Sequence, residues 1–423
     1  MKRLLKIMLL AAFLKTLSGH GQTLAPEIAE LRTSVVSIDT NAWSQSLQAN
    51  PGLYNKLKSF TVIGLGEQTH GTHEFYRNKA HLIELLVNEF GFRCIGLEAP
   101  MAETALLNEY VQTGQGTVKD ILKSFRSYTF ETQEFVELVE WVKGYNRDRQ
   151  EKIQFFGFDF QSPFACLDYF GQYGTGNNPK VKALVDSLRG GFLQLNNELY
   201  SHQFDPASFQ ELSDLSNQLL SLLRSTDEPV STQKTTLDKY IEHYRQFLLL
   251  NDPVHGYDMA KLSQVRDSLM AGNVLSHLQP NAKPKVVLWA HNAHLQKTPN
   301  VFSASMGQYL HQVLKSKYAA IGQTTSTGYY TAFSQAAGKV TDRNPIQAPT
   351  AQQMEYYFQA VGMPVFILDL TGIKSRKLKE VTHYKLLVYG ATDNQVMPGK
   401  MTDDFDLVIH TDSTTGAKNF YLQ

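Results

Sequence analysis

Two short apolar runs with a helical stretch between them decide the fold. Residues 60–74 read Phe-Thr-Val-Ile-Gly-Leu-Gly-Glu-Gln-Thr-His-Gly-Thr-His-Glu, and residues 92–99 read Phe-Arg-Cys-Ile-Gly-Leu-Glu-Ala. Residues 60–65 and 92–97 each have the length of a buried strand, and residues from about 73 to 89 repeat apolar positions with helical spacing. The segment therefore predicts a strand, a helix and a second strand of a parallel sheet.

Further apolar runs of strand length follow, at residues 153–158, 286–290, 318–321, 365–370, 385–388 and 407–409. Helical stretches at about 102–112 and 131–147 alternate with the early runs, which favours an α/β fold with a mainly parallel central sheet and flanking helices. Residues from about 180 to 280 carry helical spacing alone, and we predict a large helical insertion there, which either covers the site or serves only in packing. The tail alternates turns and strands, so we expect it to end the sheet with antiparallel pairings.

The N-terminus has the layout of a secretory signal peptide. A basic start, Met1-Lys2-Arg3, precedes a short apolar run and a small-residue cleavage site that ends at Gly21. The run is shorter than the roughly 20 apolar residues of a membrane span, so we expect no stable membrane insertion after cleavage. A buried amphipathic helix is the alternative interpretation. We therefore expect an exported protein, periplasmic or extracellular, with one α/β domain over residues 22–423.

Composition narrows the classes of partner. The chain has 423 residues and 42% hydrophobic content, which suits a large core rather than disorder. Lys and Arg number 40, as do Asp and Glu; four of the basic residues precede residue 22, which leaves 36 against 40. Without a basic block, the sequence does not favour nucleic acid, and it does not fix the oligomeric state. The two cysteines, Cys94 and Cys166, are expected to be buried thiols rather than a disulfide framework.

Ionisable residues follow the ends of four predicted strands. They are Glu67, His70, Glu98, Asp159, His291 and His294. A single residue of this kind is ordinarily a helix cap or part of a solvated turn. The carboxyl ends of parallel strands meet at one edge of the sheet, however, so we expect these side chains to lie together. The sequence therefore predicts a site at that edge.

The helix after the first strand adds Lys79 to this site. Phe75 and Lys79 are four residues apart and share the apolar face of the helix. A buried ammonium is costly unless it is paired, so Lys79 is expected to contact Glu67 or Glu98. The alternative is that its side chain extends to solvent. His73, in the first helical turn, either supports the site or is exposed to solvent.

The Gly-x-Ser-x-Gly motif of α/β-hydrolases is absent from the sequence, so a serine nucleophile of that type is not supported. Two other chemistries suit the cluster of carboxylates and imidazoles. In the first, His70 is the general base for a water, no cofactor is required, and His291 or His294 stabilises the developing negative charge. In the second, a divalent metal such as zinc, manganese or iron activates the water. Its ligands would be Glu67, His70, Glu98, His291 and His294. Residue types alone do not separate the two.

Several short motifs, in this order, resemble the erythromycin esterase family. They are Gly66-Glu-Gln-Thr-His-Gly-Thr-His-Glu-Phe75, Gly96-Leu-Glu-Ala99, Phe156-Gly-Phe-Asp159, Arg266-Asp267 with Met270, Ala290-His-Asn-Ala-His294, Ser305-Met-Gly307 and Phe405-Asp-Leu-Val-Ile409. Together they extend from about residue 60 towards the C-terminus. The resemblance implies a hydrolase of carboxylic esters with an α/β core and helical additions. In the best-known members of the family the substrate is the lactone of macrolide antibiotics.

The resemblance also implies roles for individual residues. His70 resembles the water-activating base of the family, and its essential companions are Glu67, Glu98, His291 and His294. Substrate contact or support of the site is assigned to Lys79, His73, Asp159 and Met306. Lys79 stands where the family often has Arg, and a lysine cannot make the same planar bidentate contact.

The sequence does not name the small-molecule ester, because many members of the family act on other substrates. A third interpretation is a non-catalytic protein that binds a haem-like or polyketide ligand through the histidines.

Overall fold

The computed structural model describes residues 25–173, 178–200, 206–224, 231–252, 258–278, 285–387 and 390–422. The predicted signal peptide, residues 1–21, lies outside the described residues. The strands of the described ranges are β1 (Val35–Ser37), β2 (Val62–Leu65), β3 (Phe92–Pro100), β4 (Gln154–Asp159), β5 (Lys285–Trp289), β6 (Tyr318–Ser334), β7 (Lys339–Ile346), β8 (Val365–Asp369), β9 (His383–Lys385), β10 (Val396–Pro398) and β11 (Leu407–Thr414).

Helices flank these strands. In the first half of the chain they are α1 (Pro26–Ser34), α2 (Trp43–Gln48), α3 (Pro51–Ser59), α4 (His73–Phe90), α5 (Met101–Thr113), α6 (Val118–Ser124), α7 (Gln133–Asn146), α8 (Phe164–Tyr173) and α9 (Pro179–Tyr200). In the second half they are α10 (Pro206–Arg224), α11 (Ser231–Asn251), α12 (Met259–Leu278), α13 (Asn292–Leu295), α14 (Met306–Leu314), α15 (Met354–Gln359), α16 (Arg376–Lys379) and α17 (Met401–Asp404).

The central sheet is mainly parallel, as predicted. Its strand order is β1-β8-β11-β6-β2-β5-β3-β4, and β7 pairs with β6 beside this path. Neighbours from β11 to β4 run parallel, whereas β1, β8 and β7 make antiparallel pairs. The two strands of the opening segment, β2 and β3, are separated by β5, which places the residues after β5 between those after β2 and β3.

The expectation for the tail was only partly correct. β11 is antiparallel to β8 but parallel to β6, because it enters the sheet in the direction shared by the parallel strands. The predicted run at residues 385–388 does not join the central sheet. β9 ends at Lys385 and pairs with β10 in a separate two-stranded ribbon.

Alternating residues of the strands pack into two separate cores. Ile63 and Leu65 of β2 join an apolar cluster that includes residues of α2 to α7, whereas Val62 joins a cluster with residues of α12 and α14. This is the alternation expected of a sheet buried on both faces. Both cysteines are buried and unpaired.

The helical insertion is confirmed as α9 to α12. Residues of α8 to α11 form a third apolar cluster, and α12 packs its Met270 and Val274 into the core beneath the sheet. None of the helices in the described ranges has the length and apolar character needed to cross a membrane.

Candidate active site

The loop after β2 lies against neighbouring groups at two glycines, a side chain at one and backbone at the other. A Cβ on Gly66 would lie 2.0 Å from Oδ1 of Asn292, and one on Gly71 would lie 1.7 Å from the carbonyl oxygen of Thr331. The carbonyl of Gly71 accepts hydrogen bonds from the backbone N–H groups of Thr331 and Ala417, both at 2.9 Å. Only glycine permits so close an approach, and the tether at Gly71 sets the position of the adjacent His70.

Lys79, Glu67 and His70 form a chain of contacts that leads to the sheet edge. Nζ of Lys79 donates to Oε2 of Glu67 at 2.8 Å, and Nδ1 of His70 lies 2.8 Å from Oε1 of the same carboxylate. Lys79 and Glu67 are buried, whereas the His70 side chain is 15% exposed. The predicted pairing of Lys79 with a carboxylate is thus confirmed, and Glu67 is its partner. Burial lowers the pKa of Lys79 to about 8, and its attraction to Glu67 opposes that effect.

Glu98, after β3, is surrounded by donors. Its Oε1 accepts from Nη2 of Arg266 at 2.9 Å and lies 3.2 Å from Nε2 of His294, and its Oε2 accepts from the backbone N–H of His291 at 2.8 Å. Arg266 also binds both oxygens of Asp159, at 2.6 and 3.2 Å. Burial alone would raise the pKa of Glu98, but His294, Arg266 and His70 outweigh it and hold the pKa well below its usual value.

His294 lies between two carboxylates. Its Nδ1 is 2.8 Å from Oδ1 of Asp267, and its Nε2 faces Glu98. Burial lowers its pKa, but Asp267 and Glu98 outweigh burial and raise the pKa to about 10. Nη1 of Arg266 also lies 3.2 Å from Nε2, which cannot both accept from Arg266 and donate to Glu98. We assign the donor arrangement, an imidazolium, because a carboxylate faces each ring nitrogen.

His291 differs from His294 because both of its ring nitrogens are engaged by backbone. Nε2 donates to the carbonyls of Gln68 and Leu387 at 3.0 and 3.1 Å, and Nδ1 accepts from the N–H of Ala293 at 3.3 Å. Burial, with a smaller contribution from His70, lowers its pKa to about 3. His291 is therefore a neutral ring that ties the loop after β2 to the loop after β5.

One cavity of about 520 Å³ lies over the strand ends. Its polar lining includes Glu67, His70, Glu98, Arg266, His291 and His294. Its apolar lining includes Phe125, Phe130, Phe164, Phe192, Leu195 and Phe247. Phe192 and Leu195 belong to α9 and Phe247 to α11, so the helical insertion contributes directly to the wall of the cavity.

Four of the sequence-predicted residues do not line the cavity. Lys79 and Asp159 contact the lining residues Glu67 and Arg266, whereas His73 and Met306 have other partners. His73 places its Nδ1 2.5 Å from Oε1 of Glu134 in α7, and it is not among the lining residues. Met306 is buried, and its backbone N–H donates to Oδ1 of Asp267 at 2.7 Å. Met306 thus supports the carboxylate that holds His294, whereas His73 belongs to a separate contact between α4 and α7.

Sequence reasoning missed two members of the cluster. Adjacent opposite charges on a helix are ordinarily structural, and Arg266-Asp267 of α12 was not counted among the site residues. The structure places Arg266 between Glu98 and Asp159, and Asp267 behind His294. Charge balance offered a signal, because three carboxylates at one sheet edge need more cationic partners than Lys79 alone.

A family model supports the resemblance seen in the motifs. The model for erythromycin esterase matches residues 87–414, which is more than three quarters of the chain. The chain belongs to the erythromycin esterase family. It is accordingly an enzyme of the ester hydrolase type. The match begins within α4, so Glu67, His70 and Lys79 precede it, whereas Glu98, Arg266, His291 and His294 lie inside it.

Two relatives agree with this assignment. Erythromycin esterase type II of Escherichia coli is 25% identical over 333 residues, covering 71% of this chain and 78% of that protein. Type I of the same organism is 26% identical over 351 residues, covering 75% and 84%.

Two solved structures are similar in fold. A succinoglycan biosynthesis protein has a TM-score of 0.73 at 24% identity, covering 94% of this chain and 99% of that one. A mutant erythromycin esterase in its open conformation has a TM-score of 0.67 at 22% identity, covering 91% and 96%.

The five residues considered as metal ligands have protein partners in this structure. Within the described ranges, no group of three or more His, Cys, Asp or Glu side chains is placed to hold a metal ion. The two carboxylates of that set, Glu67 and Glu98, instead contact Lys79 and Arg266.

Proposed function

We propose that this enzyme hydrolyses a carboxylic ester or lactone with a water activated by His70. The observation that carries the proposal is the orientation of this ring. Nδ1 contacts Glu67, and no group in the described residues hydrogen-bonds to Nε2. In the neutral ring that we propose, Nδ1–H donates to the carboxylate, which leaves Nε2 unprotonated and able to accept a proton from a water in the cavity.

The reaction then needs no covalent intermediate. The water oxygen bonds to the ester carbonyl carbon as its proton passes to Nε2 of His70, which gives a tetrahedral oxyanion. Arg266 and His294 line the same cavity, and their positive charges stabilise that oxyanion. When the intermediate collapses, the bond to the alkoxy oxygen breaks and His70 returns the proton to the leaving alcohol.

The supporting residues act through these groups. Glu67 holds the tautomer of His70, and Lys79 pairs with the buried carboxylate of Glu67 and fixes its position. His291, with both nitrogens bound to backbone, is a positioning residue. Asp159 and Asp267 orient Arg266 and His294.

The chemistry of the cavity wall favours a substrate with a bulky apolar body. Five phenylalanines face the polar cluster, and the two erythromycin esterases share about a quarter of their residues with this chain. A macrolide lactone, or another ester of comparable size, is the substrate class we propose. The basic and apolar N-terminal sequence supports an exported enzyme that meets this substrate outside the cytoplasm.

We also propose that no metal is required, because Lys79, Arg266 and His294 already supply positive charge to the carboxylates. The test compares hydrolysis of a macrolide and of aryl esters by the wild type, His70→Asn and His73→Asn, before and after exhaustive chelation. We expect wild type and His73→Asn to remain active throughout, and His70→Asn to lose about 100-fold or more in kcat. His73→Asn is the matched control because its ring lies outside the cavity.

Each other outcome supports a different interpretation. Activity of His70→Asn near the wild-type level contradicts the role of His70. Wild-type activity that disappears on chelation and returns with added zinc, manganese or iron supports the metal-dependent hydrolase. A ligand-dependent absorbance change with haem, without turnover of any ester, supports a binding protein.

A further inference from the structure

A second cavity shares no lining residue with the catalytic cavity. It has a volume of about 240 Å³, and β9, β10 and the segment before α15 contribute its walls. Its lining includes Thr350, Gln353, His383 and Lys385. The proposed hydrolysis uses none of them. The lining contains one lysine and four glutamines but no carboxylate, so its charge and hydrogen-bonding groups favour an anionic ligand.

Gln353 presents an unused donor in this cavity. The side chain is 3% exposed, and its Oε1 accepts from both the backbone N–H and the hydroxyl of Thr350, at 2.7 and 3.1 Å. The backbone donor fixes the orientation of the amide, so Nε2 cannot exchange places with Oε1. Nε2 is buried and has no hydrogen-bond partner in the described residues. A buried amide donor without a partner is costly, and an acceptor in the cavity would remove that cost.

Lys385 brings a buried positive charge to the same wall. It is 1% exposed, and Nζ donates to the backbone carbonyls of Thr325 and Ser326. Within the described residues it makes no ion pair with a carboxylate. Burial lowers its pKa to about 8, with Glu355 opposing the shift. Nζ carries three protons and two carbonyls accept from it, which leaves one donor for a ligand.

Glu355 does not neutralise this charge directly. Its Oε1 accepts from the hydroxyl of Thr324 and from the backbone N–H of Lys385, and its Oε2 is buried without a partner. Burial raises the pKa of this carboxyl, which disfavours its charged form. The ammonium of Lys385 is therefore buried without a directly paired carboxylate, and an anion from outside the chain would stabilise it.

We propose that this second cavity binds a small molecule through an oxyanion group, a carboxylate or a phosphate, held by Nζ of Lys385 and Nε2 of Gln353. The volume suits a ligand much smaller than the catalytic cavity would take. The proposal is independent of the ester chemistry at His70, and inactivity of the enzyme towards esters would leave it intact.

The test is calorimetric titration of the full-length folded protein with succinate and, separately, inorganic phosphate. The informative variant is Gln353→Glu, which has nearly the same shape. It keeps an oxygen to accept from Thr350 but replaces the free donor with a carboxylate oxygen. Gln359→Glu is the matched control, because it makes the same charge change at the exposed last residue of α15, the helix that Gln353 precedes. Succinamide tests whether charge is required.

We expect wild type and Gln359→Glu to bind at least one of the two anions, and Gln353→Glu to bind about tenfold or more weakly. The anion that binds distinguishes a carboxylate site from a phosphate site. No binding of either anion by the wild type at millimolar concentration overturns the proposal. So does equal binding by wild type and Gln353→Glu, which assigns the heat to another site, or equal binding of succinamide. If Gln353→Glu does not fold, Lys385→Met replaces it in the same titrations, with its folding checked by circular dichroism. The same loss of anion binding is expected, and binding equal to that of the wild type overturns the proposal.

Discussion

At the residue scale, the active site depends on how each buried charge is compensated. The ammonium of Lys79 is enclosed by Glu67, by the carbonyl of Ala290 at 3.2 Å, and by the ring of Trp289 at 4.4 Å from its centroid. Lys79 is fully buried and the Glu67 side chain is 2% exposed, so neither charge of the pair is well solvated if the other is removed. The arrangement holds the carboxylate of Glu67 beside His70, and the stability of the fold depends on the same pair.

We expect Lys79→Met to destabilise the protein by about 3–5 kcal/mol, because it leaves the carboxylate of Glu67 buried without a cation. The measurement is the free energy of unfolding from urea denaturation. Lys56→Met is the matched control, since Lys56 pairs with Asp369 at 2.6 Å but the two side chains are 25% and 37% exposed. An exposed pair contributes about 0–1 kcal/mol, so the control should stay near the wild type. Equal losses in the two variants would contradict the special dependence on Lys79.

At the element scale, much of the site was predictable from the sequence. Strand ends were read from short apolar runs, and the rule for parallel sheets placed Glu67, His70, Glu98 and Asp159 at one edge. The structure brings these groups together. Lys79 was assigned to the apolar face of its helix from spacing alone, and it lies there.

The other features of the site depend on how the helices are placed in space, which the sequence does not show. Arg266 and Asp267 reach different partners because adjacent residues on a helix point about 100° apart, and the sequence does not say how α12 is rotated over the strand ends. His73 stands three residues from His70, but only the packing of α4 against α7 shows that it meets Glu134. Likewise, the direction in which β11 enters the sheet is set by its path through the preceding loops.

The close approach of Gly71 to the backbone of Thr331 leads to a prediction about the loop after β2. In Gly71→Ala the new Cβ would meet the backbone oxygen of Thr331, which cannot move aside as a flexible side chain would. We expect a loss of about 3 kcal/mol or more in the free energy of unfolding, together with reduced kcat because His70 is displaced. Thermal and urea denaturation, with ester turnover, measure both effects.

Gly144→Ala is the control for the same substitution. Gly144 lies in the exposed part of α7, and a Cβ there meets nothing within 4 Å. We expect a gain of about 0.5–1 kcal/mol, because alanine reduces the entropy lost when a helix forms. A neutral Gly71→Ala would show that the loop shifts away from β6 at little cost.

At the scale of the whole molecule, the fold divides the site between two parts. The sheet supplies the polar residues at its strand ends, and the helical insertion supplies apolar wall from α9 and α11 as well as Arg266 from α12. Chemistry and substrate selection can therefore change separately. Substitutions in α9 and α11 alter the shape of the cavity without touching the contacts among His70, Glu67 and Lys79.

Phe247→Leu tests this division. Phe247 lines the cavity from α11 and packs edge-on against Phe192, with ring centroids 5.2 Å apart. We expect kcat/KM for a bulky apolar ester to fall about fivefold to tenfold, because about 1 kcal/mol of apolar contact with the substrate is lost, while kcat/KM for a small acetate ester changes little. The comparison uses the two esters under identical conditions. Leu249→Ala, on the same helix but 45% exposed, should leave both values unchanged. An equal fall for both esters in Phe247→Leu would mean that the insertion supports the catalytic groups themselves, and that selection of the substrate is not confined to the wall.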